Sequence, residues 1–197
     1  MKQIEITVRL VEKIEDAIAK LESKGFKKIR ESFVDDIYLS NLDIEMKKEN
    51  IQQFLKHSVI LRNLKLDGKE IKKITYKNKQ LDYNGDIILE QKVNLDCDDL
   101  VKAKSLFNCL GFYNLIEVKY HVIVYEKNGK EFAFQIVENL GNLIEYENVN
   151  DFEGKSALEI SDAKKEMLND IIECDIRITD EFDVKKAFEL IEKKYNL

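Results

Sequence analysis

A hairpin pattern runs through the sequence Phe132-Ala-Phe-Gln-Ile-Val-Glu-Asn-Leu-Gly-Asn-Leu-Ile-Glu-Tyr-Glu147. Apolar side chains alternate along its first half, the turn contains Asn139 and Gly141, and the return strand alternates again. Because side chains two residues apart on a strand point the same way, Glu145 and Glu147 share one face. Two such carboxylates are typical either of a site for a hard divalent cation, Mg²⁺ or Mn²⁺, or of an ordinary solvated strand face.

The composition is that of a globular protein large enough to bury a core. The chain has 197 residues, of which 44% are hydrophobic and 36% charged. Its formal net charge of −6 argues against general nucleic-acid binding, which needs a basic face. No apolar run has the length of a membrane span or a signal segment, so we expect a cytoplasmic protein without membrane contact.

Hydrophobic periodicity predicts the other elements. Alternation predicts further strands at 4–10, 29–39, 59–66, 71–77, 86–93 and 116–126. Short turns at Asp67-Gly68, Asn84-Gly85 and Asn128-Gly129 make neighbouring strands antiparallel. Helical spacing predicts helices near 14–21, before His57 and at 98–110. It also predicts a helix from a cap at Ser161 or Asp162 to about Glu173, and a last helix with Asp183 as its N-cap.

The two halves of the chain, about 1–95 and 96–197, have a similar order of elements. Each half contains a strand, a helix, a Gly-Phe pair (Gly25-Phe26 and Gly111-Phe112) and further strands. Proline is absent and glycines number 7, so no flexible linker separates the halves. We therefore predict one domain, 1–197, that contains an internal repeat.

Each predicted strand has one apolar face, which amphipathic helices can cover, and one face of mixed charge. The charged pairs are Glu5 and Arg9, Lys73 and Lys77, Glu90 and Lys92, Lys119 and His121, and Glu145 and Glu147. On an open sheet these groups would meet water, whereas a closed barrel would line a polar cavity with them. Such a cavity suits a polyanion and its metal, because cations bind phosphate oxygens and carboxylates bind the metal. The periodicity does not decide between the two sheets.

Seven short pieces carry a family resemblance: Glu5-Ile-Thr-Val-Arg9, Asp36-Ile-Tyr38, Ile60-Leu-Arg62, Ile74-Thr-Tyr-Lys77, Leu110-Gly-Phe112, Val118-Lys119 and Leu140-Gly-Asn-Leu-Ile-Glu-Tyr-Glu147. In this order and spacing they resemble the CYTH superfamily, also called triphosphate tunnel metalloenzymes, and most of all its class IV adenylate cyclase and thiamine triphosphatase branch. The resemblance implies an α+β fold, in which a closed eight-stranded antiparallel β-barrel, or tunnel, has helices packed on its outside.

The resemblance also implies roles for single side chains and a class of ligand. The positions of metal ligands, and so of catalytic carboxylates, are occupied by Glu5, Glu145 and Glu147. The substrate-binding positions, four basic and one acidic, are occupied by Arg9, Arg62, Lys77, Lys119 and Glu90. The implied ligand is a small molecule with a triphosphate (ATP, thiamine triphosphate or tripolyphosphate), the implied cofactor is Mg²⁺ or Mn²⁺, and the protein would be a monomer or homodimer.

Several charged positions depart from the family pattern. Thr7 replaces a carboxylate, Leu64 and His121 replace arginines, and Gln135 replaces an aspartate; where the family has an arginine and two alternate acids, this chain has Ile88, Glu90 and Lys92. Because the chemistry relies on charge compensation, these losses weaken it. We expect a divergent tunnel protein that binds a triphosphate or nucleotide with metal and has weak triphosphatase or adenylate cyclase-like activity. The alternatives are a non-catalytic module for anionic ligands and a structural domain with solvated charges.

Overall fold

The computed structural model describes residues 4–56, 58–81, 87–148, 150–181 and 183–197; the predicted turn Asn84-Gly85 and His57 lie outside these ranges. The strands are β1 (Ile4–Arg9), β2 (Lys27–Ser40), β3 (Val59–Leu66), β4 (Lys69–Leu81), β5 (Ile87–Asp96), β6 (Tyr113–Lys127), β7 (Lys130–Val137) and β8 (Gly141–Asn148). The α-helices are α1 (Ile14–Ser23), α2 (Ile51–Lys56), α3 (Leu100–Cys109), α4 (Ala157–Ile172) and α5 (Lys186–Tyr195). Within these ranges no helix has the length and apolar character needed to cross a membrane.

The eight strands form one sheet with the hydrogen-bonded order β1-β8-β7-β6-β2-β3-β4-β5. The pairs β1–β8, β7–β8, β2–β3, β3–β4 and β4–β5 are antiparallel. The predicted α+β class and eight-stranded antiparallel sheet are therefore confirmed. The predicted closure into a barrel is wrong, because the order ends at β1 and β5 and no pairing joins these two strands in the part of the chain that the structure describes.

The free edge of β1 is covered by residues 177–181 and 183–184, which we call the C-terminal strap. The N–H of Thr179 donates to the carbonyl of Arg9 at 2.9 Å. The N–H of Val184 donates to the carbonyl of Thr7 at 2.7 Å. These bonds use backbone groups that a further strand would need for pairing. The strap is therefore the physical reason why the sheet does not continue beyond β1.

The chain divides into two compact units, which are described separately below. Unit 1 consists of Met1–Glu31, His121–Val137 and Gly141–Val184. Unit 2 consists of Ser32–Tyr120, Glu138–Leu140 and Lys185–Leu197. Each unit is made of three separate ranges of the sequence. The predicted single domain with two repeated halves, 1–95 and 96–197, stays a prediction.

In unit 1 helices cover the apolar side of the strands, as predicted. The ring of Phe132 stacks on Phe26 at 5.2 Å and meets Tyr146 edge-on at 4.9 Å. Helix α4 packs against β1. Helix α1 buries the side chains that recur at helical spacing, Ile14, Ala17 and Leu21. The predicted metal ligands Glu5, Glu145 and Glu147 therefore lie on the other side of these strands.

In unit 2 helix α3 packs against β3. Leu39, Leu61 and Ala103 form the centre of this contact. Because side chains alternate along a strand, Asp36 and Arg62 take the strand face opposite Leu39 and Leu61. The apolar face thus meets a helix, and the charged face is left to form a site.

The two Gly-Phe pairs end their helices in the same way. Gly25 and Gly111 have φ angles of +87° and +84°, a conformation that side chains disfavour. The N–H of Phe26 donates to the carbonyl five residues earlier at 3.1 Å, and that of Phe112 does so at 2.9 Å. This is the Schellman bond that closes a helix, and it confirms the predicted helix ends.

Candidate functional site

The three predicted carboxylates of unit 1 lie on one face of the β1–β8 pair. Glu5 is directly opposite Glu147 in the ladder, and Glu145 is opposite Thr7. Glu5, Glu145 and Glu147 are all partly buried, so this is not a fully solvated strand face. Like charges that are directly opposed destabilise an antiparallel pair, and a bound cation relieves that repulsion. The arrangement therefore suits a positively charged partner.

The same three carboxylates are the ligands that the family resemblance implies for Mg²⁺ or Mn²⁺. Carboxylate oxygens are the donors that these hard cations prefer, and the register makes Glu5 and Glu147 neighbours. Among the residues described, however, no three His, Cys, Asp or Glu side chains are gathered into a metal site. The type and register of these carboxylates thus fit a divalent cation, but their side chains are not already grouped around one point.

A further carboxylate, which the sequence pattern placed at a helix cap, belongs to the strap. One oxygen of Asp183 accepts a hydrogen bond from the N–H of Thr7 at 3.3 Å, and the other is 3.6 Å from the ammonium of Lys164. Burial raises the pKa of Asp183 to about 6; Lys164 lowers that pKa, and the charge of Glu5 raises it. Helix α5 begins only at Lys186, so the predicted cap is wrong, and Asp183 is held by the edge of β1 instead.

Arg9, one of the predicted phosphate ligands, already contacts a carboxylate of unit 1. Its Nε donates to Oε2 of Glu181 in the strap at 2.9 Å, and this bond lowers the pKa of Glu181. The Glu181 side chain is 47% exposed, so the pair is a surface ion pair of small net energy. A phosphate that reached Arg9 would compete with a weakly held partner.

Unit 2 gathers charged side chains on the polar face of β2 to β5. We call this set the cation cluster, and its members are Asp36, Arg62, Lys77, Glu90 and Lys92. Burial and the nearby charge of Asp36 raise the pKa of Tyr38, whereas Lys77 and Arg62 lower it, so the Tyr38 ring lies beside the cluster. Three cations thus lie close to two acids.

Arg62 is fixed by Asp36 within this cluster. Its Nε and Nη2 donate to the two carboxylate oxygens of Asp36 at 2.7 and 2.6 Å. The hydroxyl of Tyr120 accepts from Arg62 Nη2 at 3.1 Å and donates to Asp36 Oδ2 at 3.3 Å. Two parallel charge-assisted bonds orient the guanidinium, and the predicted position of Arg62 in a polar site is consistent with this geometry.

Glu90 lies between two lysines. Lys77 and Lys92 are opposite each other in the β4–β5 ladder, and their ammonium nitrogens lie 3.0 and 3.6 Å from Glu90 Oε1. Glu90 is only 2% exposed, and the ammonium of Lys77 lies within hydrogen-bond distance of it. The two lysines therefore compensate the buried charge of Glu90.

The structure also gives the positions of Lys119 on β6 and Lys92 on β5. The hydroxyl of Tyr120 reaches Asp36, so alternation directs the preceding Lys119 to the opposite face of β6, where it is exposed. Lys92 received no ligand role from the sequence, yet it lies in the cation cluster. Its spacing of two residues from Glu90 was the signal that could have identified it.

Comparisons with known proteins place this geometry in context. No protein-family model matches the chain. It is 26% identical over 147 residues to "Putative adenylate cyclase MJ0240" of Methanocaldococcus jannaschii, covering 75% of this chain and 77% of that protein. Its fold is similar to that of PH1819 from Pyrococcus horikoshii, with a TM-score of 0.73 at 19% identity over 96% and 99% of the two chains. It is also similar to "putative adenylyl cyclase HpAC1" from Hippeastrum, which is described as having a dominant triphosphatase activity, with a TM-score of 0.62 at 11% identity over 98% and 96%.

Proposed function

We propose that this chain is a member of the CYTH superfamily that binds a small molecule with a triphosphate group and hydrolyses it slowly with the help of a divalent cation. The candidate ligands are ATP, thiamine triphosphate and tripolyphosphate. The names of two similar proteins, "Putative adenylate cyclase MJ0240" and "putative adenylyl cyclase HpAC1" with its dominant triphosphatase activity, support this class of substrate. Cyclisation of ATP, in which the ribose hydroxyl attacks, is the alternative reaction.

The cation cluster is the observation that carries the proposal. The side chains of Lys77, Lys92 and Arg62 are 18%, 23% and 28% exposed, whereas those of Asp36 and Glu90 are 1% and 2% exposed. An anion that approaches from solvent therefore contacts the three basic side chains before it reaches the two carboxylates. Each charge-assisted bond to a phosphate oxygen would contribute roughly 1.5–3 kcal/mol.

The carboxylates of unit 1 would serve the divalent cation. Glu5, Glu145 and Glu147 would hold Mg²⁺ or Mn²⁺, because they supply oxygen donors on one face of β1 and β8. When bound, the cation would make a water molecule more acidic. Phosphoryl transfer depends mainly on positioning and charge compensation, so no protein nucleophile is required.

Phosphate release from tripolyphosphate, thiamine triphosphate and ATP, measured with Mn²⁺, tests this function. We expect slow release that falls about tenfold or more in Glu145→Gln and in Glu147→Gln, by analogy with the loss of supporting groups at metal sites. Glu138→Gln is the matched control, since Glu138 is exposed in the turn between β7 and β8. If none of the three substrates is turned over, the protein is not this enzyme.

A non-catalytic module for anionic ligands is the second candidate. Its supporting observation is that Arg9, Arg62 and Lys77 each already lie within ion-pair distance of a carboxylate. In the described ranges no metal site is assembled either. Calorimetry distinguishes the two functions: binding that needs no metal and leads to no turnover would favour the module.

A further inference from the structure

The outer edge of β5 ends the sheet in unit 2 and lacks the cover that the strap gives to β1. The sheet order stops at β5, and no other strand pairs with this edge in the ranges that the structure describes. An open edge presents a row of backbone N–H and C=O groups on which a further strand can pair. Proline, which commonly blocks such edges, is absent from the chain. The edge of β5 therefore suits the addition of a strand.

Apolar side chains project beside this edge. Val93 and Leu95 lie on one face of β5 and are 54% and 63% exposed, and Tyr76, the ladder partner of Val93, is 38% exposed. Ile74, the ladder partner of Leu95, packs against the contact of α3 with the sheet. Helix α3 thus covers this face as far as β4 and leaves its continuation on β5 to solvent. An exposed apolar patch of this kind indicates a protein interaction surface.

We propose that β5 pairs with β5 of a second copy of this chain, antiparallel and around a two-fold axis that passes between the two Asn94 residues. In this register Val93 faces Leu95 of the second copy on one side of the sheet, and Lys92 faces Asp96 of the second copy on the other. The symmetry repeats each contact, so two apolar pairs and two ion pairs flank the axis. Pairs of both kinds stabilise neighbouring strands. The proposal goes beyond the triphosphate chemistry and does not depend on it.

Charge and burial along β5 select this register. An axis one residue before Asn94 would bring Glu90 opposite Asp96 of the second copy, and an axis two residues before it would oppose the two copies of Lys92. Like charges that face each other destabilise a strand pair. An axis three residues before Asn94 would need Glu90 to face Lys92, but Glu90 is only 2% exposed. An axis one residue after Asn94 would move the partner of Lys92 beyond the end of β5.

The accessible part of β5 matches the same register. Residues 93–96 are all exposed, and the side chain of Lys92 is 23% exposed. The ammonium of Lys92 lies 3.6 Å from Glu90 within its own chain, and Asp96 of the second copy would give it a further acidic neighbour across the interface. The self-complementary segment is thus the part of β5 that solvent reaches.

Sedimentation equilibrium tests the interface through its ion pairs. The unmodified protein should show a mass that rises with concentration toward that of two chains. Asp96→Lys would place lysines opposite each other at two symmetric positions, so the dissociation constant of the dimer should rise about tenfold or more. Adding Lys92→Asp to this variant reverses both charges and should restore association. Glu70→Lys is the matched control, because Glu70 is exposed on β4 outside its ladder with β5.

Cross-linking tests the position of the axis. Residues directly opposed in antiparallel strands have Cα atoms about 4.5–5.5 Å apart, which a disulfide can span. Asn94→Cys should therefore yield a covalent dimer under mild oxidation. Asn78→Cys, at an exposed position of β4 away from the axis, should not. The unmodified protein measures any linkage through Cys97, Cys109 and Cys174.

Each outcome supports or overturns the pairing. A monomer at every concentration would overturn it. A dimer that dissociates no more readily in Asp96→Lys than in the control, or that does not cross-link through position 94, would use another surface and would also overturn it. If thermal unfolding shows that a charge variant does not fold, the cross-link of Asn94→Cys decides.

Discussion

Arg62 and Asp36 are direct partners in the β2–β3 ladder, and two hydrogen bonds of 2.7 and 2.6 Å join their side chains. Asp36 thereby occupies the edge of the guanidinium that binds planar anions most strongly. A phosphate that uses Arg62 must share this group with a carboxylate or displace it. The affinity of the cluster for anions is therefore set partly by an acid of the chain itself.

Asp36→Asn should strengthen anion binding and weaken the fold. The amide keeps the size of the side chain but removes the charge that competes for Arg62, so the Kd for tripolyphosphate should fall roughly threefold to tenfold. The free energy of unfolding should fall by about 1.5–3 kcal/mol, measured with urea. Asp35→Asn is the control, since alternation places Asp35 on the other face of β2. An unchanged Kd would mean that phosphate does not use Arg62.

Lys92→Gln should weaken tripolyphosphate binding as much as Lys77→Gln does. The two lysines oppose each other and are similarly exposed, so each loss should cost about tenfold in affinity. The loss of affinity caused by each substitution should be smaller at high salt, because salt screens partly exposed charges. Lys102→Gln on α3, with a side chain 87% exposed, should have no effect. A loss confined to Lys77→Gln would exclude Lys92 from the site.

Thr179→Pro should release the strap from β1. Proline removes the N–H that donates to Arg9, which should lower the free energy of unfolding by about 1–3 kcal/mol. The uncovered edge should also promote self-association, which sedimentation measures. Thr179→Val keeps the N–H and loses only the hydroxyl bond to Glu181, so it is the matched control. Equal effects of the two variants would show that the backbone bond contributes little.

The stability contributed by Asp183 should decrease as pH rises from about 4 to about 6. Its pKa of about 6 in the folded protein lies above the usual value near 3.9, so the folded state binds the extra proton in this window. Between pH of about 4 and about 6, the free energy of unfolding of the unmodified protein should fall by roughly 2–3 kcal/mol relative to that of Asp183→Asn. Urea unfolding at several pH values in a chelating buffer measures this slope, with Asp180→Asn, in the exposed part of the strap, as the control. If the free energy of unfolding instead increased with pH over this range, the pKa of Asp183 in the folded protein would lie below its usual value.

Local patterns were sufficient to predict most elements of the fold. The turns at Asp67-Gly68 and Asn128-Gly129 join β3 to β4 and β6 to β7, as predicted from the residues alone. The helix ends at Gly25 and Gly111 were predicted for the same reason, since glycine is the residue that adopts this backbone conformation at little cost. Each of these features depends on a few consecutive residues.

Features that depend on distant residues could not be predicted in this way. Asp183 precedes an apolar helical pattern and has the sequence of an N-cap, but a bond to Thr7 determines its position. The absence of barrel closure has the same origin, because it depends on which segment reaches the edge of β1. The family resemblance implies a phosphate-binding role for Lys119, whereas the face of β6 on which it lies follows from the contact of the neighbouring Tyr120 with Asp36.

The strap also affects how the protein can fold while it is being synthesised. Strand β1 precedes every other element, yet one edge pairs with β8 and the other with the strap, as the contacts of Thr7 with Glu145 and Val184 show. On the ribosome β1 has neither neighbour until most of the chain has emerged, whereas the hairpin of β3 and β4 can form early. Nascent chains stalled before Val184 would therefore present a strand with at least one unpaired edge to chaperones and proteases.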